Sequence, residues 1–149
     1  MEQVTDFLVT VRRIVRMYEG TLRYVCEKYG LTQTEADVIS FLHNNSGLDT
    51  AADIVELRGL SKGNVSQSVE SLIQKSLLRR SQDTRDRRRI HLSILPEAAP
   101  ITAEIERFRT MFKEQLLAGF TDEERRQYSQ MNARVLKNSA AMTEKGELK

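Results

Sequence analysis

The 149-residue sequence is long enough for one hydrophobic core but short for two, and its 40% apolar and 30% charged residues exclude an intrinsically disordered chain. No uninterrupted apolar run approaches the roughly 20 residues that cross a bilayer, so we expect no membrane partner. Although the net charge is only +2, residues 58–92 contain nine Arg and Lys against three acidic residues, which predicts a surface that binds a polyanion.

The first predicted element is a long helix over residues 3–29, with Gly30 as its C-cap. Its apolar residues repeat at spacings of four and three, and the stripe is longer than one small core needs. One interpretation is a partner helix from a second copy of the chain, and the other is that the stripe covers only the domain's own core. The residues of this helix expected in a dimer interface are Val4, Leu8, Val11 and Val15.

Three shorter helices follow, and each has a recognisable start. Thr32 and Glu35 have capping-box spacing before the first of them, and Thr50 opens a short helix that ends at Gly59. Ser61 caps the third helix after a three-residue turn, which is typical of a helix-turn-helix. The apolar residues that this third helix is predicted to bury are Val65, Val69, Leu72 and Ile73.

The opposite face of the third helix predicts contacts with base edges. Asn, Gln, Ser and Lys side chains hydrogen-bond bases without repelling phosphate, as a helix in the major groove requires. A polar, solvent-facing helix in some other bundle is the alternative. The residues predicted to be exposed are Lys62, Gly63, Asn64, Ser66, Gln67, Ser68 and Ser71. Those predicted to bind DNA are Ser61, Lys62, Asn64, Ser66, Gln67 and Ser71.

A β-hairpin is predicted next, with strands at residues 78–81 and 90–94 and a charged loop at 82–89. The arginines of the loop repel one another unless a polyanion receives them, and the narrow minor groove of DNA favours arginine. Asp86 is expected to orient this wing by holding Arg88. A solvated surface loop is the alternative interpretation. The loop residues predicted to bind DNA are Arg85, Arg87, Arg88 and Arg89.

The C-terminal third is predicted to be helical and to complete the dimer interface. Pro96 and Pro100 fit the start of a helix, with a kink or restart that leaves Pro100 at the first helical position. Thr121 and Glu124 form a further capping box before a last helix, and the tail from Thr143 to Lys149 is expected to fray. The interface residues expected here are Phe108, Phe112, Tyr128, Met131 and Val135.

Three segments together resemble the MarR family of winged helix-turn-helix transcription regulators. Leu60 to Ser66 and Leu72 to Arg80 are similar to its recognition helix and the following strand, and Asp86-Arg87-Arg88 is similar to the Asp-x-Arg element of its wing. The chain departs from the family after the wing, where Ile94 to Pro100 replaces a Leu-Thr-x-x-Gly turn. This departure affects the predicted start of the following helix and not the residues expected to contact DNA.

The resemblance implies a mainly α fold with a small β-hairpin wing and a dimerisation region formed by the N- and C-terminal helices. A single domain over residues 1–149 is expected, with a DNA-binding lobe at about 31–95 and dimerisation helices at about 3–29 and 100–142. The function implied is that of a homodimeric repressor that binds a pseudo-palindromic operator in double-stranded DNA and is released by a small-molecule effector.

Two other classes of function are alternatives. A winged-helix protein that antagonises another regulator, without an operator of its own, is the main alternative. The sequence contains no evident nucleophile with a base and no phosphate-binding glycine loop, so we expect no enzymatic activity and no cofactor. His43 and His91 are isolated from each other and from any cluster with metal-ligand spacing, so no metal site is expected.

Cys26 is the only cysteine, so an internal disulfide is not possible, and the N-terminus shows no signal-peptide pattern. We therefore expect a cytoplasmic protein. Because Cys26 lies near the C-terminal end of the first helix, an inert thiol is favoured over an oxidant sensor. The candidates for an effector pocket, or alternatively for the core, are Tyr18, Tyr24, Tyr29 and Phe41.

Overall fold

The computed structural model describes residues 1–144. Its helices are α1 (Gln3–Tyr29), α2 (Gln33–Asn44), α3 (Ala51–Arg58), α4 (Lys62–Gln74), α5 (Ala99–Leu116) and α6 (Asp122–Glu144). The two strands, β1 (Leu78–Gln82) and β2 (Ile90–Ile94), pair antiparallel. This mainly helical chain with one hairpin confirms the predicted fold class. The predicted fraying of the tail concerns residues 145–149, which lie outside the described residues, whereas Thr143 and Glu144 are helical.

The chain forms two compact units, one from Met1 to Phe112 and one beginning at Lys113. The first contains the helix-turn-helix and the hairpin, and its core is built from α1 to α4 and the hairpin with the start of α5. The largest fully buried apolar side chains of this core are Leu22, Val25, Val38, Ile39, Ile54, Val65, Leu72 and Leu78.

Helices α1 to α4 begin at the residues that the sequence predicted, and α1 and α3 also end there. Gly30 follows α1 with a φ of 65°, a left-handed conformation that side chains with a Cβ rarely adopt. Thr32 and Glu35 exchange both hydrogen bonds of a capping box at the start of α2, and Thr50 with Asp53 does so at the start of α3. These local bonds satisfy helix-end donors that would otherwise be unpaired.

Two buried carboxylates tie the helix-turn-helix together. Glu35 Oε2 lies 2.8 Å from Lys75 Nζ, which also donates to the carbonyl oxygen of Gly30 at 3.2 Å. Burial raises the pKa of Glu35, but the Lys75 ammonium and the Thr32 groups more than offset it, so the pKa lies below its ordinary value. Asp37 Oδ1 accepts a 2.6 Å bond from Arg58, yet burial leaves the pKa of Asp37 above its ordinary value.

A tight corner joins α4 to the hairpin. Ser76 has a φ of 59°, and it is the one non-glycine residue with a positive φ in the part of the chain that the structure describes. The Leu77 N–H donates to the Leu72 carbonyl at 2.9 Å, and the Ser76 N–H to the Ile73 carbonyl at 3.0 Å, so the helix ends in a left-handed cap. The strand therefore leaves the helix at an angle fixed by one residue.

The predicted restart after the hairpin is present, with a small difference in register. A 3₁₀ turn over Pro96–Ala98 leads into α5, which begins at Ala99, so Pro100 is its second residue rather than its first. This position still lies in the first turn, where a missing N–H leaves no intrahelical bond unmade.

The second unit consists of the last turn of α5, a short connection and α6. The predicted capping box is formed, because Thr121 Oγ1 accepts from the Glu124 N–H at 3.1 Å and Glu124 Oε1 accepts from the Thr121 N–H at 2.9 Å. Backbone and side-chain bonds from Thr121 lower the pKa of Glu124. Arg125 pairs with Glu114 at 3.1 Å, and the Phe120 ring meets Tyr128 edge to face.

Within the described residues, no helix is both long and apolar enough to cross a lipid bilayer.

Candidate nucleic-acid interface

The N-terminal half of α4 presents a polar face. Ser61 caps the helix, with its Oγ accepting a 3.2 Å bond from the Asn64 N–H. Val65, Val69 and Leu72 are buried beneath it, which fixes the direction of the opposite face. The predicted contact residues that the structure leaves exposed are Ser61, Lys62, Asn64, Ser66 and Gln67.

Two serines of α4 differ from the sequence prediction. Ser68 was expected to be exposed, but it is buried, with 7% of its surface accessible, because it faces the start of α2. Ser71 was expected to bind DNA, but its hydroxyl donates to Glu35 Oε2 at 3.2 Å and is half-buried. The buried Glu35 carboxylate needs such donors, and this long-range requirement is not visible in the local helical pattern.

The loop between β1 and β2 is ordered by its own hydrogen bonds. Asp83 Oδ2 accepts from the backbone N–H groups of Arg85 and Asp86 at 2.9 and 2.8 Å. Gln82 Nε2 donates to the carbonyl oxygen of Arg87, and the Asp83 N–H donates to that of Arg89, both at 2.9 Å. The loop thus has a defined backbone path that does not depend on apolar burial.

Asp86 lies where it can orient Arg88, as the sequence predicted. Its Oδ1 accepts from the Arg88 N–H at 3.0 Å and lies 3.4 Å from Arg88 Nε. The Arg88 side chain is nevertheless 93% exposed, so it projects from the loop while Asp86 contacts it at Nε. The binding of DNA by Arg88 stays a prediction.

The arginines of the loop form a concentrated positive surface. Arg85, Arg87 and Arg89 are all exposed, and none of them takes part in an ion pair with any residue between positions 1 and 144. Like charges at this density repel one another, and an external polyanion relieves that repulsion. We call the segment from Asp83 to Arg89 the arginine loop.

His91 links the base of the wing to the connection before α3. Its Nδ1 lies 2.8 Å from Asp49 Oδ1, and its Nε2 lies 2.7 Å from Asp83 Oδ1. The bonds to Asp83 and Asp49 raise the pKa of His91, and the same imidazole holds the pKa of Asp83 far below its usual range. Sequence reasoning missed this contact and treated His91 as isolated.

A weak signal for part of this contact exists in the hairpin. His91 pairs with Ser81 in the strand register, so Asp83, two residues further along, lies diagonally across from His91 on the same side. Asp49 is 42 positions away in sequence, and no local pattern indicates that it is near. Only the packing of the lobe brings it to the ring.

Comparison with known proteins places this arrangement in a family. A family model described as the MarR family matches residues 29–89, which extend from the end of α1 through the arginine loop. The chain belongs to the MarR family. It is similar to the transcriptional regulator YwaE of Bacillus subtilis (strain 168), with 31% identity over 102 residues, or 68% of this chain and 59% of the relative. The chain thus spans less than two thirds of that relative's length.

Two further proteins match over most of their length. The transcriptional repressor MdtR of Bacillus subtilis (strain 168) is 25% identical over 146 residues, which cover 98% of this chain and 93% of that protein. The crystal structure of an S. aureus MepR–DNA complex superimposes with a TM-score of 0.66 at 19% identity, covering 89% of this chain and 97% of that chain. At this identity the superposition shows a shared fold.

The residues predicted for a MarR-type dimer interface separate into two groups. Phe108 and Phe112, which stay predictions for the interface, stack edge to face on Tyr24 and Tyr18 of the same chain, at 5.3 and 5.8 Å. These two phenylalanines thus pack α5 against α1. The other predicted interface residues remain exposed within their own units; they are Val4, Leu8, Val11 and Val15 on α1, and Tyr128, Met131 and Val135 on α6.

The environment of Cys26 favours the thiol form. Burial, together with the negative charges of Asp37, Glu35 and Glu27, raises its pKa, so the fraction of reactive thiolate is reduced. This agrees with the interpretation of an inert thiol.

The aromatic residues considered for an effector pocket have roles inside the first unit. Phe41 is 5% exposed and belongs to the core. The Tyr18 hydroxyl lies 2.6 Å from Ser40 Oγ, and the Tyr29 hydroxyl donates to the Pro100 carbonyl at 3.4 Å. These contacts favour the core interpretation, and the effector site stays a prediction without assigned residues.

Proposed function

We propose that this chain is a sequence-specific regulator of transcription that binds double-stranded DNA. The exposed N-terminal half of α4 enters a major groove, and the arginine loop enters the adjacent minor groove. The observation that carries this proposal is the arginine loop itself. Its arginines project outward from a backbone that Asp83 and Asp86 order, although nothing in the described residues neutralises most of them.

The side chains on the two surfaces suit the two grooves. Lys, Asn, Ser and Gln on α4 offer donors and acceptors for base edges, whereas arginine suits the negative potential of a narrow minor groove. The similarity of fold to the MepR–DNA complex supports the same assignment. The residues proposed to contact DNA are Ser61, Lys62, Asn64, Ser66, Gln67, Arg85, Arg87, Arg88 and Arg89, with Asp86 orienting Arg88.

A homodimeric repressor is the form of this regulator that we propose. The exposed apolar stripe at the N-terminal end of α1, from Val4 at 62% to Val15 at 49% exposure, is what a second copy would cover. The name of the relative MdtR supports repression, which occupancy of a promoter achieves without catalysis. Release by a small-molecule effector, and operation in the cytoplasm, belong to the same proposal through the family resemblance.

Selection of bound fragments from random duplex DNA, with the purified protein at low ionic strength, tests the proposal. We expect an inverted repeat with half-sites about one helical turn, or roughly 34 Å, apart, because a two-fold symmetric dimer places two α4 helices in successive major grooves. Affinity for the selected duplex should fall steeply between about 50 and 200 mM salt, as neutralised phosphates release counterions. Light scattering on the same sample should give the mass of two chains.

Two outcomes would contradict parts of this proposal. A folded protein that enriches no duplex at low ionic strength contradicts DNA binding. If that protein were still dimeric, the antagonist class of winged-helix protein would replace the present proposal. A selected site without palindromic symmetry would retain DNA binding and reject the symmetric dimer.

A further inference from the structure

The base of the wing contains a histidine placed between two carboxylates. His91 Nδ1 and Nε2 lie 2.8 and 2.7 Å from the oxygens of Asp49 and Asp83. An ionised carboxylate only accepts hydrogen bonds, so both ring nitrogens must carry a proton for both bonds to form. Only the imidazolium cation does so, and the observed geometry is therefore that of charged His91.

The charged groups that face the ring come from two elements. Asp83 belongs to the arginine loop, and Asp49 belongs to the connection between α2 and α3. The hydrogen bonds that the ring donates to these two carboxylates, the larger effect coming from Asp83, raise the pKa of His91 more than partial burial lowers it. The Leu92 N–H also donates to the Asp49 carbonyl oxygen at 2.8 Å, so a backbone hydrogen bond joins β2 to this connection.

The bridge continues from the ring into the arginine loop. Asp83 uses Oδ1 for His91 and Oδ2 for the backbone N–H groups of Arg85 and Asp86. Asp86 in turn accepts from Arg88. A chain of hydrogen bonds therefore runs from the helix-turn-helix, through His91, to the backbone that carries the arginines.

We propose that His91 is a positioning residue for the arginine loop, and that loss of its ring proton at rising pH frees the loop from the connection between α2 and α3 and weakens binding to DNA. Neutral imidazole keeps one N–H, so one of the two carboxylates would face a nitrogen lone pair. Asp49 is the one released, because Asp83 is also held by two backbone N–H groups. This inference rests on the proposed DNA-binding function.

The direction of the pH dependence follows from the raised pKa. A group whose pKa is higher in the folded, bridged state stabilises that state fully below its ordinary value of 6.5. The contribution is lost as the pH rises through the higher, bridged value. DNA phosphates near the loop add negative potential, which keeps the proton on His91 longer in the complex.

The test is a pH series of affinity for the selected duplex, from pH 6 to 8.5 at constant ionic strength. The matched control is His43→Gln, because His43 is the second of the two histidines and faces Glu106, 3.2 Å away, rather than the wing. The parent and His43→Gln should lose about three- to tenfold in affinity across this range, the scale of one charged hydrogen bond. His91→Gln should bind more weakly and show little dependence on pH.

A second variant separates positioning from folding. His91→Lys keeps a positive charge that does not titrate in this range, so its affinity should stay within about threefold of the parent at pH 6 and remain flat to pH 8.5. Circular dichroism of each variant confirms the fold. A merely structural role predicts that His91→Lys weakens binding as His91→Gln does, and that result overturns the inference.

Different results would contradict the positioning role of His91 and the DNA-binding function. If the parent binds the duplex with the same pH profile as His91→Gln, the positioning role is wrong and the DNA-binding function stands. If no variant binds any duplex, the proposed function fails, and an NMR titration of the free protein still decides the bridge: a His91 pKa at or below 6.5 contradicts it.

Discussion

Helix α4 and the arginine loop both present exposed surfaces, but different forces hold them. Apolar burial fixes α4, whose Val65 and Leu72 are fully inaccessible. The arginine loop is fixed by hydrogen bonds to Asp83, Asp86 and Gln82. Burial of apolar surface responds little to pH and salt, whereas bonds between charged groups respond to both. The helix should therefore keep its position under conditions that loosen the loop.

The largest expected effect is a loss of stability on removing the apolar packing beneath α4. Leu72→Ala removes a fully buried side chain beneath α4, and we expect the free energy of unfolding to fall by about 2–5 kcal/mol. Urea denaturation followed by circular dichroism measures it. A loss below about 1 kcal/mol would show that packing under α4 is loose and that something else holds the helix.

The next largest effect is a loss of DNA affinity on removing a side chain of the arginine loop. Arg88→Ala should weaken binding to the selected duplex by on the order of 1–3 kcal/mol, while the free energy of unfolding changes by less than about 0.5 kcal/mol because the side chain is 93% exposed. Fluorescence anisotropy and urea denaturation measure the two quantities. Gln67→Ala is the matched variant on α4, and it should change the preferred sequence as well as the affinity. Parental affinity in Arg88→Ala would remove the wing from the interface.

The smallest expected effect is a loss of stability on removing the N-cap of α4. Ser61→Ala deletes the acceptor of the Asn64 N–H, and we expect about 1 kcal/mol of lost stability. Ser61→Asp is the control, because aspartate restores the acceptor. Thermal denaturation of the three proteins measures the effect. Equal stability of the Ala and Asp variants would mean that water replaces the cap without cost.

Sequence patterns predicted the elements well because the signals that begin and end helices are local. Gly30, Thr32 and Ser61 act within four residues of themselves, and both strands lie within one residue of their predicted bounds. The arginine loop was also predictable, since its composition is unusual.

What the sequence did not reveal depends on contacts between distant segments. Ser71 turns inward because it meets Glu35, 36 positions away, and His91 meets Asp49 over 42 positions. Phe108 likewise packs on Tyr24, which lies on a helix distant in sequence. Periodicity reports which side of a helix is apolar, but it does not report which polar group lies opposite.

The left-handed corner at Ser76 governs the span between the two surfaces. Only Ser76 and Leu77 separate the C-cap of α4 from β1, so this backbone conformation contributes to the distance from Gln67 to Arg88. Glycine at position 76 would ease the corner, whereas a β-branched side chain would force the hairpin to swing. A change at this hinge therefore alters the spacing of the two surfaces and leaves every exposed side chain on them as it is.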